Sequence, residues 1–248
     1  MTETSTAGSN PKMWFDSLSE DKSWASLWNG YIICGTCGGI RAVDGACDAC
    51  GSPSLKDDPV RVKLANGEEI QVPQASMGAE GRYEDWVYLR MIEREWKRPV
   101  HDSDRFPEPS TKEGPSPRAS IVILFWSYFE TRIERLLRAG LRNVPERILE
   151  DALRRYSAIG TRMNDFYRIA FESTYRDDLA AAGHGQIWPH IVMIQEHRNA
   201  FAHGNPSAID DTLVRRTVEL LEAEHESWIA VFNKRAARSH NNQNQVSP

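Results

Sequence analysis

The chain has 248 residues, of which 40% are hydrophobic and 26% charged, and its net charge is −5. This balance is typical of a soluble globular protein with one large or two small domains. The negative charge argues against a broad nucleic-acid-binding face, although it permits a local basic groove. No apolar run approaches the roughly 20 residues that span a bilayer, and residues 1–10 lack the apolar core of a signal peptide. We therefore expect a cytoplasmic protein with no membrane segment.

The N-terminal region begins with a polar tail and continues with closely spaced aromatic residues. Residues 1–12 are rich in Ser, Thr, Gly and Asn, which predicts disorder. Trp24 and Trp28 are four residues apart, so they would share one face of a helix. They predict either the core of a small domain or a platform on which nucleic-acid bases stack. The neighbouring aromatic residues are Trp14, Phe15 and Tyr31.

All four cysteines lie in one short segment, as two Cys-x2-Cys pairs separated by nine residues. Glycines beside each pair permit the tight turns that direct thiolates toward a common point. Four thiolates suit tetrahedral zinc and leave no open position for a substrate, so we predict a structural Zn²⁺ site. The spacing resembles a zinc ribbon with a tight hairpin between the pairs. Two disulfides and a rubredoxin-like iron site remain alternatives. The ligands would be Cys34, Cys37, Cys47 and Cys50.

Further elements follow the cysteines. Residues 60–64 and 70–72 alternate between apolar and polar around an Asn-Gly turn, which predicts a β-hairpin beside the ribbon. We therefore expect residues 13–76 to form a zinc ribbon with a β-hairpin. The segment 77–98 predicts a helix over 84–97 that ends before a proline and buries Val87, Met91 and Trp96.

Residues 99–118 contain five prolines and predict a linker between two domains. Residues 119–238 are helical in character, and residues 239–248 predict a second disordered tail. We expect helices over about 118–139, 145–156 and 161–175, a fourth from 189 to a stop at Gly204, and a last one over 210–237. Residues 177–182 are ambiguous. The predicted fold class is mainly α: an up-and-down helical bundle preceded by a small β zinc-ribbon domain.

One run in the second half carries candidate chemistry. Arg198, Asn199 and His203 fall near the end of a predicted helix that Gly204 stops. On an ideal helix, Arg198 is in line with an apolar stripe, which predicts that it is paired in the core or lies at an interface. Glu130, in the apolar first helix of the bundle, either faces solvent or pairs with Arg198. The macrodipole also favours cations at a helix C-terminus, which is a simpler explanation of the run. The stripe is formed by Ile191, Ile194 and Phe201.

The pattern Arg-Asn-x3-His-Gly and the order of helices over residues 119–238 resemble the HEPN superfamily, whose members include metal-independent ribonucleases. The resemblance implies a homodimer that joins two motifs across a cleft and cleaves RNA by attack of the 2′-hydroxyl on the adjacent phosphate. His203 would act as acid or base, Arg198 would stabilise the phosphate, and Asn199 would hold the phosphate or the imidazole. Glu130 would orient Arg198. A toxin or anti-phage defence role, with an antitoxin or another defence-system partner, is implied in the same way.

Two other functions remain open from the sequence. The ribbon and the bundle would also suit a non-catalytic adaptor that binds a partner protein or nucleic acid. A transcription-associated zinc-ribbon protein is a further possibility. Few Lys or Arg residues lie around the cysteines, which argues against DNA binding by that module.

Overall fold

A computed structural model describes residues 24–34, 36–42, 44–52, 60–63, 67–72, 82–105 and 114–237. The architecture is mainly helical, with two small two-stranded sheets near the N-terminus, which confirms the predicted class in outline. Both predicted tails, the aromatic residues Trp14 and Phe15 and the middle of the linker lie outside the described residues. Within the described residues, no helix is both long enough and apolar enough to cross a membrane.

The four strands form two antiparallel hairpins. Strand β1 (Tyr31–Ile33) pairs with β2 (Ile40–Ala42), and β3 (Val60–Lys63) pairs with β4 (Glu69–Val72). The second hairpin was predicted, and its strands pair Val60 with Val72 and Lys63 with Glu69; Asn66 of the predicted turn lies outside the described residues. The expectation of a hairpin between the two cysteine pairs is wrong, because the first hairpin instead encloses the first pair. Three of the nine connecting residues, Ile40–Ala42, return the chain as β2 beside β1.

Eight α-helices follow within the described residues, and the long ones lie close to their predicted limits. They are α1 (Arg82–Lys97), α2 (Ser120–Gly140), α3 (Glu146–Arg155), α4 (Ile159–Thr161), α5 (Tyr167–Phe171), α6 (Tyr175–Ala181), α7 (Trp188–Ala202) and α8 (Asp211–Ala236). A π-helical turn over Arg162–Phe166 joins α4 to α5.

The single helix predicted over residues 161–175 is divided in the structure. Glu172 takes a left-handed conformation, with φ of 55°, and ends α5. Thr174 then caps α6: its side chain accepts a hydrogen bond from the Asp177 amide, and the Asp177 carboxylate accepts one from the Thr174 amide. This reciprocal capping box satisfies two otherwise unpaired backbone donors and starts a new helix.

Helix α2 is the centre of the molecule and packs against α1, α7 and α8. Its first half is buried on nearly all sides, including Val122 and Trp126. One continuous hydrophobic core joins α1, α2 and α8 to Trp24, Trp28 and Ile40 of the N-terminal region. Since both tryptophans are buried, they fill the core, and the prediction of a base-stacking platform is wrong for them.

The buried face of α1 differs from the predicted one. Asp85, Leu89, Ile92 and Trp96 face the core, whereas Met91 is 46% exposed. These four positions recur at spacings of four, three and four residues, which is the period of one helical face. The prediction placed the buried face by apolar residues alone. It therefore missed this face, because one of its positions is occupied by a buried aspartate.

The described ends of the proline-rich linker are bonded to the helices. The Arg98 guanidinium donates to the carbonyl of Pro117 at 2.8 Å, and Arg118 donates to the carbonyl of Arg98 at 2.7 Å. The Ser116 amide donates to the carbonyl of Ile209 at 2.8 Å. Helix α1 is therefore held against the helices that follow the linker.

Candidate functional site

The two cysteine pairs converge at one end of the molecule. The Sγ atoms of Cys34 and Cys50 are 3.7 Å apart, those of Cys37 and Cys47 are 3.8 Å apart, and all four lie within 4.8 Å of one another. Four sulfurs at about 2.3 Å from a tetrahedral metal ion would be about 3.8 Å apart. The cysteines are free, so the two-disulfide alternative is wrong. The group has the geometry of a four-thiolate metal site.

The two pairs are built alike. Gly38 follows the first pair and Gly51 the second, with φ of 74° and 70°, a region that glycine enters without strain. The Gly38 amide donates to the carbonyl of Cys34 at 2.8 Å, and the Gly51 amide to the carbonyl of Cys47 at 2.6 Å. Each turn thereby directs both of its thiols to the same side.

Polar groups favour a negative charge on the Cys34 sulfur, whereas burial opposes it at Cys37 and Cys47. Four thiolates and one divalent ion carry a net charge of −2, and the buried Arg41 guanidinium donates to the Ser52 hydroxyl, which is 3.2 Å from Cys34 Sγ. Burial raises the pKa of the Cys34 thiol, but hydrogen bonds led by the one from Ser52 outweigh it and lower that pKa to about 6. Burial raises the pKa of the Cys37 and Cys47 thiols. A bound cation would therefore have to displace protons from the buried thiols.

The Asn233 side chain bonds the cysteine module to α8. The Asn233 amide accepts from the Ile40 backbone N–H and donates to the Ile40 carbonyl, both at 2.6 Å, as a paired strand would. Gly39 lies so close to α8 that a Cβ there would be 2.9 Å from Asn233 Oδ1. A metal held by four protein thiols has no free position for a substrate, so this centre can support structure but not metal catalysis.

The Arg-Asn-x3-His run lies at the C-terminal end of α7. Arg198 and Asn199 are half-buried on the last turns, and Arg198 Nη1 donates to Asn199 Oδ1 at 3.1 Å. His203 follows the last helical residue, is exposed, and has its backbone N–H bonded to the Asn199 carbonyl at 3.0 Å. Asn199 therefore contacts both of the other residues. Within the described part of the chain, the imidazole of His203 has no hydrogen-bond partner.

The stripe predicted beside Arg198 is present, since Ile191 and Ile194 are fully buried and Phe201 is partly buried. Glu130 is half-buried and accepts a hydrogen bond from Trp126 Nε1 at 2.7 Å. Among the ion pairs of the described residues there is none between Glu130 and Arg198, so the pairing expected from sequence is not observed. Trp126 is one turn away on the same helix and is always within reach, which explains the partner that Glu130 takes.

A buried charge network lies apart from both of these sites, and sequence reasoning missed it. Arg132, fully buried, donates to Asp85 at 3.0 Å, to Glu224 at 2.6 Å and to His225 Nδ1 at 2.8 Å. Its guanidinium also lies over the Trp228 ring, 4.3 Å from the centroid. The signal in the sequence is an arginine within the apolar stripe of α2, which requires acidic partners.

The network is closed to solvent, which limits its role. Burial raises the pKa of Glu224 to about 7, against the opposing effect of Arg132. Burial also lowers the pKa of His225 to about 2, and repulsion from Arg132 adds to this effect. Because Asp85, Arg132 and Glu224 are 0% exposed, no polymer can reach them. The network joins α1, α2 and α8 and is a structural connection between them.

A surface groove of about 930 Å3 lies between α1 and α2 and reaches the last turn of α7. We call it the α1–α2 groove. Its apolar lining is Met91, Ile123, Leu124 and Phe201, and its charged lining is Arg94, Glu95, Lys97 and Arg98. Phe201, which stands between Arg198 and His203 in the sequence, is the lining residue that α7 contributes to the groove.

Comparison of the chain with protein-family models, with curated proteins and with solved structures found no match.

Proposed function

We propose that the chain is a metal-independent endoribonuclease of the HEPN type, acting as a toxin or an anti-phage defence effector. One observation carries the proposal: Arg198, Asn199 and His203 are gathered at an accessible helix end, and the His203 ring is exposed. A guanidinium, an amide and an imidazole at one accessible point can act on a phosphodiester. The buried charge network contains similar groups but excludes a polymer.

The proposed chemistry is transesterification within the RNA. A base removes the proton of a 2′-hydroxyl, and the oxygen attacks the adjacent phosphorus. The bond to the 5′-oxygen breaks, and an acid gives that oxygen a proton. The products are a 2′,3′-cyclic phosphate and a 5′-hydroxyl. His203 provides one proton-transfer group. Arg198 stabilises the additional negative charge of the transition state, and its bond to Asn199 orients the guanidinium toward the His203 side of the helix.

One histidine supplies only one of the two proton-transfer groups. We infer that a second copy of the chain supplies the other, so that the active form is a homodimer with two motifs facing one cleft. The half-buried Arg198, beside the apolar residues of α7, suits a position at the margin of such an interface.

For the cysteine site we propose zinc in a structural role. Four closed thiolate positions with tetrahedral sulfur spacing fit Zn²⁺ and leave it no catalytic position. We expect one zinc per chain by elemental analysis. Cobalt exchanged into the site should give the intense visible absorption of tetrahedral thiolate coordination. Iron at the same stoichiometry, with a rubredoxin-like spectrum, would contradict the zinc assignment.

The ribonuclease proposal is tested with purified full-length protein and a labelled single-stranded RNA in buffer free of divalent ions. We expect cleavage to 2′,3′-cyclic phosphate ends, with at least a hundredfold loss of rate in His203→Ala and in Arg198→Ala.

His197→Ala is the matched control, because His197 is the neighbouring exposed histidine and its Nδ1 is bonded to the Ala208 carbonyl at 2.7 Å. It should retain most of the activity. Full activity in His203→Ala would refute the assigned residues. A wild-type protein that is folded and zinc-loaded but cleaves no RNA would refute the nuclease and favour the adaptor.

A further inference from the structure

We propose that the α1–α2 groove binds a short single-stranded segment of RNA next to the scissile phosphate, so that a helix outside the HEPN-like bundle extends the substrate site. This inference rests on the proposed function and adds a subsite to it. Phe201 lines the groove and lies three residues after Arg198 on α7, so the two side chains are neighbours on one helical face. A strand that occupies the groove would therefore contact Phe201, one turn of helix from Arg198.

The groove combines the two surfaces that single-stranded RNA requires. The apolar floor of Ile123, Leu124 and Phe201 is suited to the faces of unpaired bases. The rim formed by α1 and by Arg98, which follows it, has three cations (Arg94, Lys97 and Arg98) and one carboxylate (Glu95), and this net positive charge is suited to the phosphates. A duplex conceals its base faces and would gain nothing from the apolar floor.

The cations of α1 lie outside their carboxylate partners. Lys97 is bonded to Glu93 at 2.9 Å, but the Lys97 side chain is 45% exposed and that of Glu93 only 7%. Arg90 makes a second, longer contact of 3.5 Å with the same carboxylate. Arg94 is exposed and has no ion pair among the described residues. An approaching phosphate therefore meets the cations before it meets the carboxylates.

This local charge is opposite to that of the whole chain. Four cations, at 90, 94, 97 and 98, and two carboxylates, at 93 and 95, line the α1–α2 groove and an adjoining depression on α1. The chain as a whole carries −5. The adjoining depression is also lined by the exposed Trp86 and Met91, so the basic and apolar character continues along α1. Charge complementarity thus selects a polyanion, and the apolar floor selects one with exposed rings.

The test measures binding separately from cleavage, in the full-length His203→Ala protein with a 5′-fluorescein oligouridylate followed by fluorescence anisotropy. The groove variant adds Arg94→Gln and Lys97→Gln. The matched control adds Arg154→Gln and Arg155→Gln, which also remove two exposed cations but on α3. We expect Kd to rise at least fivefold in the groove variant and less than twofold in the control. The slope of log Kd against log salt should fall by about 1.4, for two phosphate contacts at about 0.7 each.

A groove variant that binds within fivefold of its parent, or no worse than the control, overturns the inference. Met91→Gln tests the apolar side at an exposed position, and unchanged binding in this variant also counts against the inference. If the groove variant instead changes the oligomeric state in light scattering, a second copy occupies the groove and the inference is wrong. Wild-type protein that binds RNA but does not cleave it refutes only the nuclease. A cleaving wild type whose groove variant binds normally refutes only the subsite.

Discussion

Arg132→Met is the most direct test of the buried charge network. The Arg132 side chain is fully buried and donates hydrogen bonds to Asp85, Glu224 and His225. Methionine keeps an unbranched apolar side chain of roughly similar length but donates no hydrogen bond. The substitution therefore removes the charge and the donors while it leaves most of the volume filled.

The two carboxylates are affected to different extents. Asp85 retains hydrogen bonds from Trp28 Nε1 at 3.1 Å and from Arg135 at 3.0 Å. Glu224 loses the partner of its Oε2 atom, and its Oε1 atom already has no hydrogen-bond partner in the described residues. Removal of one partner from a buried ion pair costs about 3–5 kcal/mol. We expect the free energy of unfolding to fall by that amount at about pH 8.

The loss should be smaller at about pH 5.5. The pKa of Glu224 is raised from 4.5 to about 7, so its contribution to stability is greatest below 4.5 and is lost as the pH rises through 7. Without the attraction of Arg132 this pKa rises further, and the carboxyl becomes neutral more readily. Protonation of His225 also becomes easier when the repulsion from Arg132 is gone. Both effects favour the variant at low pH, by about 1 kcal/mol or more relative to pH 8.

The assay is equilibrium urea unfolding of zinc-loaded protein at the two pH values, followed by tryptophan fluorescence. Arg135→Met is the control: it is the same substitution on the next turn, at a side chain that is partly exposed and whose one hydrogen bond among the described residues is to Asp85. It should cost about 1 kcal/mol. Equal losses in the two variants, or a loss in Arg132→Met that does not depend on pH, would refute the reasoning.

Three further predictions concern other contacts. Gly39→Ala places a methyl group 2.9 Å from Asn233 Oδ1 and should destabilise the protein by about 1–3 kcal/mol, measured by urea unfolding; Gly30→Ala, with open space around it, is the control. Cys47→Ser should reduce bound zinc below half an equivalent and increase amide exchange in β1 and β2; full retention of zinc would contradict the assigned ligands. Asp178→Asn should remove about 2 kcal/mol at neutral pH and almost nothing near pH 2. Burial raises the pKa of Asp178, but hydrogen bonds from Arg235, Lys234 and Tyr167 outweigh it and lower that pKa to about 2. The stability that Asp178 contributes is therefore lost as the pH falls toward 2. An acid unfolding midpoint that is the same in Asp178→Asn and in the wild type would refute the assignment.

Local signals in the sequence were sufficient to predict the metal site and most of the helices. Two Cys-x2-Cys pairs with flanking glycines place four thiols together through short-range turns, and the structure has the expected sulfur spacing. The long helices begin and end near Pro and Gly residues or at caps such as Asp210, whose carboxylate accepts from the Leu213 amide. These features depend on neighbours within a few residues, so periodicity and turn chemistry predict them.

The candidate catalytic site was predictable in position but not in its contacts. The sequence placed Arg198 beside an apolar stripe at a helix end, and the structure has that arrangement. It did not show that Glu130 is bonded to Trp126 or that the Arg198 guanidinium is bonded to the Asn199 side chain. The choice among several reachable partners depends on rotamers and packing, which no spacing rule contains.

Local patterns along the chain are enough to predict the parts of this protein: a four-cysteine module, a hairpin, and helices in order with their apolar faces. The packing of distant segments, by contrast, places Asp85 in the core, joins three helices through Arg132, and brings Phe201 of α7 to the α1–α2 groove. Asp85 and Arg132 are 47 residues apart, and Arg132 and Glu224 are 92 apart. Local propensity acts over one or two turns of helix, whereas the stability of a buried charge depends on which distant segment packs against it.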